Sequence, residues 1–292
     1  MKIKGTTKIT GVFGYPVSHS LSPVFQNAAF EFLGLDYIYI PLEVKPENLK
    51  IATEALRIFN WIGVNVTIPH KKEIMKYIDE LDETSKILGV VNTIHNIDGK
   101  LKGYITDGDG FIRSLKEDGN FIPEGKNIFI LGAGGSSYAI CGALIKEKVN
   151  YIFISNRTYE NALKLRKHLN KKLNFKNVEV IPFEKRNEKY IWENIDLLIN
   201  TTSVGMKEND PLLIEKVNIE KVKFVYDIVY NRKTELLKVA EELKIKNLDG
   251  LSMLIYQGAI SFEIWTGKKA PVEIMKKSLH DKIQNLLLKK SG

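Results

Sequence analysis

Two ammonium groups stand directly behind a proline in Asn65-Val66-Thr67-Ile68-Pro69-His70-Lys71-Lys72. Proline favours the first helical turn, and the pattern predicts a helix over 69–81. Cations at the positive end of a helix dipole sit against their structural preference. That field would lower a lysine's pKa, which suits Lys71 to proton transfer. His70 reads as a structural or surface residue rather than a base. Asp107, in Gly103-Tyr104-Ile105-Thr106-Asp107-Gly108, stands where a helix begins, either as its N-cap or as a functional carboxylate. The loop Gly14-Tyr15-Pro16-Val17-Ser18-His19-Ser20-Leu21-Ser22-Pro23 is rich in hydroxyls. Ser22 as N-cap explains one of them, and a hydroxyl cluster at a helix start also suits a ligand carboxylate. Asn92 enters a hairpin, and Gln257 interrupts a largely apolar helix, where its amide needs a protein or ligand partner.

A different chemistry is written in Ile128-Phe129-Ile130-Leu131-Gly132-Ala133-Gly134-Gly135-Ser136-Ser137, a buried strand running through glycines into a helix. Gly132 permits the tight turn and Gly134 lets the backbone approach a pyrophosphate, which meets the helix N–H groups. Ser137 replaces the third glycine of the dinucleotide fingerprint and is still small. Placement between strand and helix gives the motif its weight. The next strand ends at Ser155-Asn156-Arg157-Thr158, about 20 residues on, where an NAD enzyme would carry a carboxylate for the ribose diol. None is present, and Arg157 offers a planar cation suited to a 2′-phosphate. NADP is therefore expected over NAD.

These groups need a scaffold. Strands are expected over 8–13, 37–44 and 63–68, with helices over 23–33 (stopping at Gly34) and 46–59 between them. A hairpin, 91–95 with 101–105, turns at Asp98-Gly99. This rhythm implies a mostly parallel sheet with helices on its faces. A second α/β series has strands over 127–131, 151–155, 178–182, 196–200 and 224–229, and a helix over 108–117 bridges the two series. Final helices over 252–266 and 271–288 would return to the first domain. The expected domains are 1–106 completed by 251–292, which binds substrate, and 107–250, which binds the dinucleotide.

The chain's 292 residues, 44% of them apolar, suit two globular domains. No apolar run is long enough to span a bilayer and no signal peptide opens the chain, so a cytoplasmic location is expected. Cys141 is the single cysteine, which leaves no disulfide framework or Cys-based metal site. The net charge of +8 is scattered among acidic residues without a basic, aromatic-lined stripe, so nucleic acid is not an expected partner. Monomer and homodimer both fit.

Taken in order, Ser20-Leu21-Ser22-Pro23, Asn65-Val66-Thr67-Ile68-Pro69-His70-Lys71, Val91-Asn92-Thr93, Thr106-Asp107, the glycine turn, Asn156-Arg157-Thr158, Asn200-Thr201-Thr202-Ser203-Val204-Gly205-Met206 and Gln257-Gly258-Ala259 resemble shikimate dehydrogenase over nearly the whole chain. The resemblance implies an N-terminal α/β substrate domain and a Rossmann-type NADP domain separated by a cleft. It also implies the reversible NADPH-dependent reduction of 3-dehydroshikimate to shikimate, a step towards chorismate and the aromatic amino acids. Lys71 and Asp107 match the family's catalytic pair, and Ser20 and Ser22 the hydroxyls that hold the substrate carboxylate. Thr67, Asn92 and Gln257 match residues that bind the ring hydroxyls and neighbouring groups, and Tyr230 a further substrate-side residue. Gly132, Ala133, Gly134, Gly135 and Ser136 match the phosphate turn, Asn156, Arg157 and Thr158 the adenosine-phosphate site, and Thr201 and Gly250 further cofactor positions. There are departures. Gln26 stands where the family usually has histidine, and Ile105 where it has asparagine. A proline expected after Asn231 is absent, with the segment through Thr234 one residue short, and Asn161 replaces a second basic residue near the 2′-phosphate. These keep two alternatives open, an NAD-using quinate/shikimate dehydrogenase and a non-catalytic relative that binds shikimate-type ligands.

Overall fold

The computed structural model describes residues 3–288, with side chains to 285. The chain divides into two units, Met1–Thr106 with Leu254–Gly292, and Asp107–Met253. In the first, β1 (Lys8–Gly14), β2 (Tyr37–Glu43), β3 (Gly63–Val66), β4 (Glu80–Leu81), β5 (Thr93–Ile97) and β6 (Lys100–Tyr104) form one sheet in the order β2-β1-β3-β5-β6-β4. β1 runs parallel to both its neighbours, whereas β5 is antiparallel to β3 and β6. The β5–β6 turn places Asp98 at φ 51° and Gly99 at φ 87°, the doubly left-handed turn that this dipeptide accommodates. α1 (Ser22–Phe32), α2 (Leu49–Ile58) and α3 (Glu83–Leu88) complete this part of the chain. All four residues of β3 are buried, as expected for a strand covered on both faces.

Two expectations fail here. No α-helix spans 69–81: a 3-10 segment, Glu73–Tyr77, is followed by β4. The Lys71 carbonyl accepts Val91 N–H at 2.9 Å, and Asp79 and Asp82 N–H reach Leu101 O and Gly103 O at 2.9 Å. Pairing with the sheet edge thus takes the backbone groups a helix would have used, and no helix dipole stands behind Lys71. Ser22 is also not an N-cap. Leu21 already has right-handed helical geometry, so Ser22 lies inside the helix and its side chain makes no capping bond. α3, β4 and a last strand of the second unit were not anticipated; α3 carries its own signals, an Asp82 side chain bonded to Ser85 N–H and a left-handed Gly89.

The second unit opens with α4 (Asp107–Glu117) and continues β7 (Asn127–Leu131), α5 (Gly135–Lys146), β8 (Tyr151–Ser155), α6 (Tyr159–Leu173), β9 (Val178–Ile181), β10 (Leu197–Asn200), α7 (Lys216–Ile219), β11 (Phe224–Asp227), α8 (Glu235–Glu242) and β12 (Lys246–Leu248). The six strands are all parallel, in the order β12-β11-β10-β7-β8-β9. This is the doubly wound dinucleotide-binding order, whose direction reverses beside β7. Phe129 and Trp192 stack at 4.6 Å in its core.

α9 (Leu251–Thr266) and α10 (Val272–Leu288) end the described chain. In the first unit, Phe262 of α9 stacks on Phe30 at 5.1 Å, and Trp265 Nε1 donates to Ile94 O at 2.9 Å. A Cβ on Gly63 would come within 2.5 Å of that indole nitrogen, so this glycine allows α9 to approach the sheet. Among the described residues no helix is long and apolar enough to cross a membrane.

Candidate active site

Because β1 and β3 are adjacent and parallel, the loops at their C-terminal ends emerge side by side, the place where such sheets bind ligands. Tyr15 N–H donates to Ile68 O at 3.1 Å and Thr67 N–H to Phe13 O at 2.9 Å, which joins the two loops. The first carries Ser20 and runs into α1 at Ser22, with Ser20 Oγ accepting Ser22 N–H at 3.3 Å. The second carries Thr67 and Lys71, both half-buried. His70 is buried, its Nε2 donating to Val44 O at 2.7 Å, and so has a structural role.

Asn92 sits against this second loop, its carbonyl accepting Val66 N–H at 2.7 Å. Its side-chain Oδ1 accepts Thr106 N–H at 2.9 Å, which fixes the direction of the carboxamide. Nδ2 is then turned to Thr106 Oγ1 at 2.9 Å and Gln257 Oε1 at 3.3 Å. Gln257 Nε2 donates to Leu254 O at 2.8 Å within α9. Beneath them Asn65 accepts Tyr39 Oη–H at 2.7 Å and donates to Thr93 Oγ1 at 3.0 Å and Ser261 Oγ at 2.9 Å. Every member of this group is buried. Sequence reasoning singled out Asn92 and Gln257 but missed Asn65, Thr93 and Ser261. Two signals were available: an asparagine inside the apolar strand Gly-Val-Asn-Val, and a hydroxyl one helical turn beyond Gln257. Gln26 is also buried here, Nε2 donating to Gly258 O at 2.8 Å while Oε1 has no protein partner.

In the second unit, Gly132 has φ 110°, and its N–H donates to Ser155 O at 2.8 Å. A Cβ there would overlap Thr201 Oγ1, so only glycine fits. The turn is braced by a directed chain: Gly134 N–H to Ser137 Oγ at 3.1 Å, Ser137 to Thr201 Oγ1 at 2.7 Å, and Thr201 to Leu131 O at 2.6 Å. Ser137 therefore does more than stand in for a small glycine. Thr201, picked as a cofactor position, spends its hydroxyl on this brace. Gly134 is exposed with nothing within 4 Å of where a Cβ would project. Gly135 and Ser136 open α5, whose first-turn N–H groups lack helical acceptors. Open backbone, oriented donors and a positive helix end fit a pyrophosphate.

β8 delivers Asn156, Arg157 and Thr158 beside that turn. Asn156 Nδ2 donates to Thr158 O at 2.8 Å and shapes the loop, while Arg157 is exposed. This donor set fits a further phosphate. At the ends of β10 and β11, Asp227 accepts from Asn200 Nδ2 at 2.9 Å, Val229 N–H at 3.0 Å and Thr234 Oγ1–H at 2.7 Å. Burial pushes its carboxyl up to about 6 against these bonds, and burial also raises the Asp249 carboxyl and the half-buried Tyr230 phenol. Gly250 lies so close to Ile228 that a Cβ would overlap its carbonyl. Asp107 is buried at the start of α4, next in the chain to Thr106.

The first unit thus gathers Ser20, Ser22, Thr67, Lys71, Asn92 and Gln257; the second holds Asp107, Tyr230 and every candidate cofactor residue. Comparison with known proteins gives the family. Residues 12–94 match the family model of the shikimate dehydrogenase substrate binding domain. Residues 119–254 match shikimate / quinate 5-dehydrogenase, and 250–280 the shikimate 5′-dehydrogenase C-terminal domain. A curated relative from Methanocaldococcus jannaschii, shikimate dehydrogenase (NADP(+)), is 44% identical over 96% of this chain and 99% of its own. A crystal structure of a shikimate dehydrogenase in complex with NADP+ superposes with a TM-score of 0.89 at 42% identity, covering 97% of this chain and 98% of that one. The Listeria monocytogenes shikimate 5-dehydrogenase in complex with shikimate and NAD gives 0.86 at 39% identity, covering 96% and 98%.

Proposed function

This chain belongs to the shikimate dehydrogenase family, and from that premise we propose how its residues carry out an NADP-dependent oxidoreduction. The reaction is 3-dehydroshikimate + NADPH + H⁺ ⇌ shikimate + NADP⁺. NADPH, when bound, supplies the hydride that reduces the ketone carbon. The ketone oxygen then carries negative charge and needs a proton. Lys71, as ammonium, donates that proton and offsets the developing charge, with Asp107 as the other member of the catalytic pair. Ser20 and Ser22 hold the carboxylate, and Thr67, Asn92 and Gln257 bind the ring hydroxyls, with Tyr230 as a further hydrogen-bonding group. A site whose buried amides are built for hydroxyls rejects analogues lacking them by roughly 10⁴–10⁵-fold. The single observation supporting this reading is the pinned Asn92 carboxamide, aimed at Gln257 beside the loop that carries Lys71.

Residues 107–250 serve as the dinucleotide domain, and 1–106 with 251–292 as the substrate domain, of an enzyme working on small molecules in the cytoplasm. Gly132, Ala133, Gly134, Gly135 and Ser136 would hold the pyrophosphate. Asn156, Arg157 and Thr158 would hold the adenosine 2′-phosphate, with Thr201 and Gly250 shaping the remaining wall. Asn161, exposed two residues into α6, supplies no second cation and favours some NAD use as a second reading. Measuring kcat/KM for shikimate and quinate, each with NADP+ and NAD+, separates them. Shikimate with NADP+ is expected to be the best pair; preference for quinate with NAD+ would overturn the proposal.

A further inference from the structure

Ser261 belongs to none of the roles above. It is wholly buried on α9, one turn beyond Gln257, and its hydroxyl is where Asn65 and Thr93 of the sheet meet Thr106, which follows β6. Asn65 Nδ2 lies 2.9 Å away, Thr93 Oγ1 2.8 Å and Thr106 Oγ1 3.5 Å, while Ser261 itself donates to Gln257 O at 3.0 Å. A hydroxyl has one proton and two lone pairs. With its proton on Gln257 O, Ser261 must accept from Asn65 and from Thr93. The Thr93 proton is then directed at Ser261 and away from Asn92 Oδ1, which lies only 3.1 Å from Thr93 Oγ1. Asn92 Oδ1 then takes its donors from Thr106, the N–H at 2.9 Å and the hydroxyl at 3.2 Å, and the Asn92 amide keeps its orientation towards Gln257.

We infer that Ser261 is a positioning residue for substrate recognition, acting through the orientation of the Asn92 and Gln257 amides. The inference rests on the reading of those two amides as binders of the ring hydroxyls. Without the Ser261 hydroxyl, the Thr93 proton turns to Asn92 Oδ1 and the Asn65 amide loses an acceptor. A buried network with one member removed re-pairs in a different arrangement. The damage is to recognition of the ring. The hydride donor and Lys71 are untouched.

Steady-state kinetics of Ser261→Ala and Ser261→Cys test this. Cysteine nearly preserves the volume but is a weak hydrogen-bonding group, so it separates hydrogen bonding from packing. Both variants are expected to raise KM for shikimate about tenfold, the effect of about one misdirected buried hydrogen bond. kcat should stay within about threefold and KM for NADP+ should not move, a split that general loosening of the fold would not give. Shikimate KM values within about twofold of wild type in the Cys variant would overturn the inference. So would equal losses in kcat and in affinity for both ligands. Wild-type protein that fails to oxidise shikimate in the same assay would overturn the functional reading instead.

Discussion

Arg157 leaves the end of β8 exposed, and among the described residues no carboxylate pairs with it. A guanidinium in that state is available for a phosphate, and charge-assisted hydrogen bonds of this type contribute about 1.5–3 kcal/mol. Arg157→Ala is therefore expected to lower kcat/KM for NADP+ about 10–100-fold while leaving that for NAD+ within about twofold, read from initial rates with each cofactor. Equal losses with both would remove Arg157 from 2′-phosphate recognition. The candidate residues stand out in the sequence, because an Arg in place of a carboxylate or a Gln in an apolar helix violates expectation for its location. Their partners were not. That Asn92 is held by Thr106, and that Thr201 braces a turn, depends on pairings between residues 14 and 70 positions apart. Gln26 shows the same limit: its donor bond to Gly258 O spans 232 positions.

At the scale of elements, the glycine turn was the most legible feature, because strand, turn and helix are consecutive and each has a local cause. Gly132→Ala should be costly on two counts: a left-handed φ of 110° and overlap with Thr201 Oγ1. Overpacking of this kind costs about 1–3 kcal/mol. Thermal denaturation should show a lowered Tm, and NADP+ should no longer raise it at concentrations that stabilise wild type. An unchanged Tm with normal stabilisation by NADP+ would contradict the role of the turn. The segment 69–81 shows why other elements were misread. Proline followed by good helix formers is a sound local signal, but residues 78–82 gain more by pairing with β6 at the sheet edge. Tertiary pairing outweighs local propensity where a short segment can serve either. The same reasoning covers β12, a short strand added beside β11.

At the scale of the whole molecule, buried carboxylates couple folding to pH. Burial raises the Asp227 carboxyl from an ordinary 3.8 to about 6. An acid whose folded pKa is raised contributes its stability below the unfolded value, and loses it as pH rises through the folded one. Between about pH 4 and pH 6 the wild-type protein should therefore lose stability from this group, on the order of 3 kcal/mol. Asp249, raised in the same direction by burial, steepens the fall. In Asp227→Asn the amide oxygen can still accept from Asn200 and Val229 while Thr234 turns to accept, so most of that slope should vanish from urea denaturation midpoints measured across this range. An identical slope in both proteins would rule Asp227 out as its source. The two-unit layout was legible because each unit repeats a local strand–helix rhythm. The most direct test of the chemistry is NADPH formation from shikimate and NADP+, by wild-type and Lys71→Ala proteins side by side. Wild type should turn over, and Lys71→Ala should lose about 10²–10⁴-fold in kcat with shikimate KM within a few-fold. Near-wild-type kcat in Lys71→Ala, or no NADPH from the wild type, would contradict proton transfer by Lys71 in a shikimate dehydrogenase.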